Sequence, residues 1–257
     1  MEINNKTLFE VCCGCLEDAV NAEKGGADRI ELNSALFLGG LTPGIGLFKE
    51  VKKNINIPVM CMLRPREGGF IYSEYDFNTI LSEAEELIKA GADGIVFGFL
   101  EKDGSIDKVR SKILIDKAKS FNEKIEIVFH RAIDLVPDVF KALEDLIELK
   151  VDRVLTSGQK ASSLEGKETI KKMQEFANGR IEILPGGGIN SQNAKELIEY
   201  TGVKMIHASA RSERIDESGL LNPEIFFGGK IDGKWSPEHI YKVTNPELVK
   251  NVIDAIN

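Results

Sequence analysis

The sequence has no long hydrophobic run, no secretory signal and no excess of positive charge. Its apolar runs, such as Ile95–Phe97, are far shorter than the roughly 20 residues that span a bilayer. The N-terminus shows no basic region followed by an apolar core. The 257 residues include 33 basic and 41 acidic side chains, and the net charge of −8 disfavours nucleic acids and anionic membranes as partners. We therefore expect a cytoplasmic protein that binds neither.

Cysteine is scarce and clustered, since Cys12, Cys13 and Cys15 lie within four residues and Cys61 is the only other one. Adjacent cysteines rarely pair and nothing indicates an oxidising compartment, so a disulfide scaffold is not expected. Cys12 and Cys15 form a C-x-x-C motif, and thiolates bind soft ions such as Cu(I) and Zn(II). Met62 is a candidate thioether ligand beside Cys12. Packing of small buried thiols in the core is the alternative interpretation.

Short β-rich runs alternate with amphipathic helical segments along the chain, which predicts a parallel sheet covered by helices. A weak internal repeat, seen in Gly26–Leu32 and Gly91–Phe97, favours four copies of a two-strand unit and hence a closed barrel. We predict one (β/α)8 barrel, a TIM barrel, as a single domain over residues 1–257. The eight predicted strands are Leu8–Cys13, Arg29–Leu32, Pro58–Leu63, Gly94–Phe99, Lys124–Phe129, Arg153–Thr156, Glu182–Pro185 and Met205–Ala208.

The chain after the last predicted strand has no long periodic pattern until its end. We therefore predict a long loop over residues 211–244, and loops of this length are often functional. A final helix is predicted over residues 245–256, with Asn245 as N-cap and Pro246 at the first helical position.

Polar residues at the strand ends are the candidates for catalysis, because active sites of such barrels lie where strands end and βα-loops begin. Those candidates are Glu10, Glu31, Arg64, His130 and His207. A histidine would act as general acid or base, and a glutamate as the other proton carrier or as the group that orients the histidine. The alternative is an internal ion network in which Glu10, Glu31 and Arg64 merely fill the barrel.

A triple glycine, Gly186-Gly187-Gly188, precedes a predicted helix near Asn190. Bare backbone at this position lets amide groups converge on an anion, and many barrels bind phosphate after strands seven and eight. The alternative is a tight turn that requires glycine. The side chains expected to complete an anion site are Ser157, Ser209 and Arg211, with Arg64 and Arg66 as further positive groups.

The strand-end motifs, taken together, resemble the CutC family. They run in order along the chain from Phe9 to Arg211. The motifs are Phe9-Glu10-Val11-Cys12, Gly25-Gly26-Ala27-Asp28-Arg29-Ile30-Glu31-Leu32, Gly39-Gly40-Leu41-Thr42-Pro43, Arg64-Pro65-Arg66, Phe129-His130-Arg131-Ala132, Arg153-Val154-Leu155-Thr156-Ser157-Gly158, Pro185-Gly186-Gly187-Gly188 and His207-Ala208-Ser209-Ala210-Arg211.

The resemblance implies a cytoplasmic (β/α)8 barrel that forms a homodimer or higher homo-oligomer, with a role in copper homeostasis and Cu(I) bound through cysteines. Cys12 matches one cysteine of the family's proposed copper pair, and Asn33 stands where the second would be. Cys15, Cys61 or Met62 is then the candidate partner for Cys12. Two functions follow as hypotheses: a Cu(I)-binding protein, and an isomerase, epimerase or lyase that acts on a small anionic or phosphorylated metabolite.

Overall fold

Parallel strands alternate with helices around a barrel in the computed structural model, which describes residues 6–222, 224–227, 230–231, 234–235 and 238–257. The barrel strands are β1 (Leu8–Cys13), β2 (Arg29–Leu32), β3 (Val59–Met62), β4 (Gly94–Phe97), β5 (Glu126–Phe129), β6 (Arg153–Thr156), β7 (Glu182–Pro185) and β8 (Met205–Ala208). The helices are α1 (Leu16–Gly25), α2 (Ile45–Asn54), α3 (Glu74–Lys89), α4 (Lys108–Phe121), α5 (Val139–Glu148), α6 (Lys167–Ala177), α7 (Ala194–Thr201) and α8 (Pro246–Ile256).

The eight strands form one sheet in the order β7-β6-β5-β4-β3-β2-β1-β8, and every ladder in it is parallel. A single bridge between Gly186 and His207 joins β7 to β8, so the barrel is nearly closed. This confirms the predicted TIM barrel. Strands β3, β4 and β5 are each two residues shorter than predicted, and the other barrel strands have the predicted bounds. At β3, the predicted first residue Pro58 has no N–H to donate to a ladder.

Apolar side chains on the outer face of the barrel pack against the helices. Val11 and Cys13 of β1 are fully buried in this layer, together with Leu143 of α5. Because side chains alternate along a strand, Glu10 and Cys12 face the barrel interior. Two small apolar clusters form separately from this layer: Met60 with Met62, Val96 and Val128, and Leu155 with Leu184 and Met205.

The segment between β8 and α8, predicted as a loop, contains two antiparallel strand pairs. β9 (Arg211–Ile215) pairs with β12 (Ile240–Thr244), and β10 (Lys230–Ile231) pairs with β11 (Lys234–Trp235). The interpretation as loop alone is therefore wrong for these residues. Only Val243 and Thr244 of this pair are buried, so most of it lies on the surface and its sequence lacks the apolar alternation typical of half-buried strands.

The last helix, α8, packs against the first helix, α1. α8 begins after the N-cap Asn245, whose side chain accepts a hydrogen bond from the N–H of Glu247. Just before it, the N–H of Thr244 donates to Asp18 of α1 at 2.6 Å, which fastens the end of β12 to the barrel. In the described part of the chain, no helix is long and apolar enough to cross a membrane.

Candidate functional site

Strands β1, β2 and β8 bring three of the predicted site residues together inside the barrel. Cys12 is paired with Glu31 across β1 and β2, and Glu10 with His207 across β1 and β8. The Cys12 Sγ, a carboxylate oxygen of Glu31 and a ring nitrogen of His207 lie within 4.8 Å of one another. Metal–ligand bonds to such atoms are about 2.0–2.3 Å long, so one ion can contact all three. We call these side chains the Cys12–Glu31–His207 cluster.

Glu10 holds the His207 ring in place. Its Oε1 lies 2.8 Å from His207 Nδ1, and its Oε2 accepts from Arg29 Nε at 2.5 Å. Burial acts to raise the pKa of Glu10, but Arg29 and His207 outweigh it and lower the pKa to about 2. A carboxylate that binds one ring nitrogen leaves the other, Nε2, for a ligand, as in many histidine metal sites. No sequence pattern singles out Arg29, since strand pairing alone places it opposite Glu10.

Asn33 lies against both Cys12 and Glu31. Its Nδ2 donates to Glu31 Oε2 at 2.8 Å and to Cys12 Sγ at 3.5 Å, and the Cys12 thiol donates to Glu31 Oε2 at 3.6 Å. Two buried acceptors, Glu31 Oε1 and Asn33 Oδ1, have no hydrogen-bond partner among the described residues. Burial raises the pKa of Glu31 and raises that of Cys12 to about 12. Buried acceptors without donors are costly, so this environment suits a cation.

The protonation of His207 is also strongly influenced by its neighbours. Burial acts to lower the pKa of His207, but contacts with Cys12 and Glu10 raise it well above its ordinary value. The carboxylates of Glu10 and Glu31 and the thiol of Cys12 therefore favour the charged form of the ring. A positive charge at this position is electrostatically favoured, which is a further sign that the cluster accommodates a cation.

The other predicted sulfur ligands occupy different positions. The exposed Cys15 is the N-cap of α1, and its Sγ accepts from the N–H of Asp18 at 3.4 Å. Met62 packs in the small apolar cluster with Met60, and Cys61 is buried in the layer between sheet and helices. Among the described residues, the cluster that can hold a metal includes neither Cys15 nor Cys61.

Arg64 ties two loops together at the mouth of the barrel. Its Nη1 donates to the carbonyls of Leu38 and Gly40 at 2.9 and 3.0 Å, and its Nη2 donates to the carbonyl of Gly68 at 2.8 Å. Arg64 makes no ion pair with Glu10, whose partners are Arg29 and His207. The alternative interpretation, an internal ion network of Glu10, Glu31 and Arg64, is therefore wrong for Arg64, because its guanidinium donates to loop carbonyls instead.

His130, at the end of β5, is buried and neutral. Its Nδ1 accepts from the N–H of Ala132 at 3.1 Å, and its Nε2 has no hydrogen-bond partner among the described residues. Burial and then the positive charge of Arg64 lower the pKa of His130 to about 3. A neutral ring with Nδ1 as acceptor carries its proton on Nε2.

The triple glycine lies beside an arginine that the sequence prediction did not include in the anion site. Gly187 and Gly188 have φ angles of +107° and +76°, which favour glycine. A Cβ at Gly187 would lie 3.5 Å from Arg131 Nη1, so this guanidinium covers the turn. Arg131 Nη2 donates to Ser157 Oγ at 2.6 Å, and Ser157 is fully buried. The available signal for Arg131 was its position directly after His130 at a strand end.

The remaining predicted anion-binding residues are not gathered at this turn. Arg66 follows β3, which lies across the barrel from β7, and its Nε donates to Asp76 at 3.1 Å. Arg211 is partly buried in β9, and its Nε has no hydrogen-bond partner in the described ranges. Ser209 is exposed, and its carbonyl accepts from the Thr244 hydroxyl at 3.4 Å.

The family models and the individual known sequences that match this chain indicate the same family. The model of the CutC family matches residues 7–212. A family protein CutC of Treponema denticola is 51% identical over 248 residues, which is 96% of this chain and 98% of that protein. The human copper homeostasis protein cutC homolog is 42% identical over 248 residues, covering 96% of this chain and 88% of the human protein.

Solved structures show the same fold. A structure described as the copper homeostasis protein CutC of Streptococcus agalactiae has a TM-score of 0.75 and 31% identity, covering 79% of this chain and 98% of that one. A phosphoribosylanthranilate isomerase of Pyrococcus furiosus has a TM-score of 0.56 at 15% identity, covering 97% and 98%. At that identity the likeness shows a shared barrel fold alone.

Proposed function

This chain belongs to the CutC family, and we propose that it acts in copper homeostasis by binding Cu(I) at the Cys12–Glu31–His207 cluster. The observation that supports this most directly is the convergence of one sulfur, one carboxylate oxygen and one ring nitrogen within 4.8 Å. The names of the human and Streptococcus agalactiae relatives, which refer to copper homeostasis, support the same function.

The donor atoms suit a soft monovalent ion. Thiolate and imidazole are ligands that copper accepts readily, whereas carboxylate is a harder donor and would be the weakest of the three. The thiol of Cys12 must lose its proton to become a ligand, and Nε2 of the His207 ring must lose its proton as well, so Cu(I) binding releases protons. Glu10 supports the site indirectly, because it fixes the His207 ring through Nδ1 and directs Nε2 toward the sulfur.

His207 takes the place that a second sulfur would have in this proposal. Asn33 stands beside Cys12 at the position that corresponds to the family's second cysteine, and its amide cannot replace a thiolate. Cys15 is engaged as the N-cap of α1, and Met62 packs in an apolar cluster. Cys12 is a free thiol, which supports our placing the protein in the reducing cytoplasm.

The direct test is anaerobic Cu(I) competition with a chromophoric chelator. We expect one-to-one binding by the wild type and a loss of at least about tenfold in affinity for Cys12→Ser and for His207→Gln, since each removes a ligand. Cys15→Ser is the matched control, because it removes the other cysteine of the C-x-x-C motif. Equal Cu(I) affinity of wild type and Cys12→Ser would refute the proposal. A loss of affinity in Cys15→Ser as large as that in Cys12→Ser would instead indicate that both cysteines of the C-x-x-C motif bind the ion.

A second candidate function is an isomerase, epimerase or lyase for a small anionic or phosphorylated metabolite. It is favoured by the Arg131 guanidinium over the Gly187 turn, next to the buried Ser157. His207 would then be the general acid or base with Glu10 as its orienting group. The test is titration with inorganic phosphate, followed by NMR of the Gly187 and Gly188 amides, in wild type and Arg131→Gln. Unshifted glycine amides in the wild type would remove this candidate.

A further inference from the structure

Arg64 is a buried positive charge without a carboxylate partner. Only 7% of the residue is exposed, and among the described residues its guanidinium forms no ion pair. Its hydrogen-bond acceptors are three backbone carbonyls, of Leu38, Gly40 and Gly68, which are dipoles and not charges. A buried charge that lacks a counter-charge is strongly disfavoured, so the barrel mouth around Arg64 favours an anion.

The guanidinium of Arg64 also has N–H donors that are not all used in hydrogen bonds. Nη1 uses both of its hydrogens, and Nη2 uses one. The Arg64 Nε is buried and has no hydrogen-bond partner in the described part of the chain. Nε therefore remains, while the buried hydroxyl of Tyr72 lies beside the guanidinium as its one side-chain neighbour of this kind among the described residues. A guanidinium N–H forms a strong, charge-assisted hydrogen bond with a carboxylate oxygen.

His130 adds a second unpaired donor. It is only 3% exposed, and because Nδ1 accepts from Ala132, the proton of the neutral ring is on the buried Nε2. Arg64 and His130 both contact Phe70: the guanidinium carbon lies 5.4 Å from the Phe70 ring centre, and the His130 ring centre lies 4.6 Å from it. Two buried donors thus flank one aromatic ring.

We propose that Arg64 and His130 form a binding site for a small carboxylate, separate from the Cys12–Glu31–His207 cluster. The carboxylate accepts from Arg64 Nε and from His130 Nε2. This site belongs to the ends of β3 and β5, whereas the metal-binding cluster belongs to β1, β2 and β8. The proposal does not depend on copper binding.

Charge favours a carboxylate over a phosphate at this site. Arg64 supplies one positive charge, and His130 is a neutral donor, so a group with a single negative charge balances the site. Inorganic phosphate carries about 1.5–2 negative charges at neutral pH and would leave uncompensated charge in a buried place.

Phe70 lies next to both donors and also lines a surface cleft. It is half-buried and lines a cleft of about 290 Å³ with Leu100 and Leu135 on its outer side, while its ring contacts His130 on the inner side. Gly68 and Gly69 precede it, and Gly68 has a φ of +88°. Neither Arg64 nor His130 lines this cleft, so a carboxylate that enters from it has to displace the Phe70 side chain to reach the two donors.

The test uses acetate and pyruvate as probes and inorganic phosphate as the competing oxyanion, at constant ionic strength. The readout is the side-chain ¹⁵N signal of His130 Nε2, assigned with His130→Phe. We expect saturable shifts with acetate and pyruvate and none with phosphate. Arg64→Lys and His130→Phe should each weaken pyruvate binding at least about tenfold, because each loses a hydrogen bond to a charged ligand.

The matched control is Arg180→Gln, which removes a surface arginine paired with Glu144 and should leave pyruvate affinity unchanged. Absence of a saturable shift of His130 Nε2 in the wild type overturns the proposal without any variant. Equal pyruvate affinity in wild type and in folded His130→Phe, measured for both by isothermal titration calorimetry because the variant lacks the His130 signal, also overturns it. Saturation by phosphate to the same extent as by acetate overturns the assignment to carboxylates.

Discussion

The side-chain amide of Asn33 donates a hydrogen bond to the sulfur of Cys12 at 3.5 Å. Residue 33 is the position where the CutC family resemblance places a second copper-binding cysteine. The structure therefore shows that this position is adjacent to Cys12 even though its residue here is an amide. A second thiolate beside Cys12 in the proposed copper site would therefore require only a cysteine at position 33 and no change of backbone.

Replacing Asn33 with cysteine should strengthen Cu(I) binding. Asn33→Cys places a second sulfur beside Cys12, and Cu(I) prefers thiolates to oxygen and amide ligands. We expect affinity to rise by about tenfold or more, measured by anaerobic chelator competition. Asn33→Ser is the control, because it removes the same amide without adding sulfur. A Cu(I) affinity of Asn33→Cys no higher than that of Asn33→Ser would argue against binding at Cys12.

Glu10 should affect copper binding without touching the ion. Glu10→Gln removes the charge that fixes His207 at Nδ1, and losses of about 10–100-fold in metal affinity are typical of such supporting groups. It also leaves Arg29 as a buried charge without a partner, so the free energy of unfolding should fall by about 3–5 kcal/mol. Chelator competition and urea denaturation measure the two effects.

The control for Glu10 is Glu126, another carboxylate that pairs with a buried arginine. Glu126 Oε2 lies 2.8 Å from Arg153 Nη1, and its side chain is 41% exposed. Glu126→Gln should change Cu(I) affinity far less than Glu10→Gln, because among the described residues Glu126 influences His207 only through the charges of Arg153 and Glu10, and Arg153 keeps Glu182 as a partner. A comparable loss of affinity in both variants would mean that Glu10 acts through general stability.

The strands were predictable from the sequence, but the partners of the charged residues were not. Alternation along β1 indicates that Glu10 and Cys12 share a face, and the repeat indicates a closed barrel. Which charge meets Glu10 depends on the stagger between strands, which places Arg29 and His207 opposite it. Sequence spacing carries no information on that stagger, so an ion network of Glu10 with Arg64 stayed open as an alternative.

The C-x-x-C motif shows a related limit. Both cysteines lie at one strand–helix turn, and spacing alone cannot distinguish a ligand from a helix cap. The backbone directs Cys15 Sγ to the N–H of Asp18, whereas Cys12 faces the barrel interior with Glu31. One residue of the motif joins the candidate site, and the other starts a helix.

Acid should weaken the fold through His130. Its pKa is lowered from 6.5 to about 3 in the folded protein by burial and by Arg64. Between these two values the unfolded chain takes up a proton that the folded protein does not, so the free energy of unfolding falls as pH drops from 6.5 towards 3. The full loss is on the order of 5 kcal/mol.

Urea denaturation between pH 7 and pH 4 measures this contribution. His130→Phe keeps a ring against Phe70 but has no group to protonate, so its stability should decline less steeply with falling pH than that of the wild type. Parallel pH profiles of wild type and variant would show that His130 is not the residue responsible.

Gly40 should be intolerant of a side chain, and nearby Gly46 should accept one. Gly40 has a φ of +85°, its carbonyl accepts from Arg64, and a Cβ there would collide with Asn33 Oδ1. Gly40→Ala should therefore lower the free energy of unfolding by about 1–3 kcal/mol.

The control is Gly46, in α2, where a Cβ would have no neighbouring atom within 4 Å. Gly46→Ala should raise the free energy of unfolding by about 0.4–1 kcal/mol, because alanine reduces the conformational freedom of the unfolded chain. Equal effects of the two variants in urea denaturation would show that the loop bearing Gly40 is not held against Asn33 and Arg64 as the structure shows.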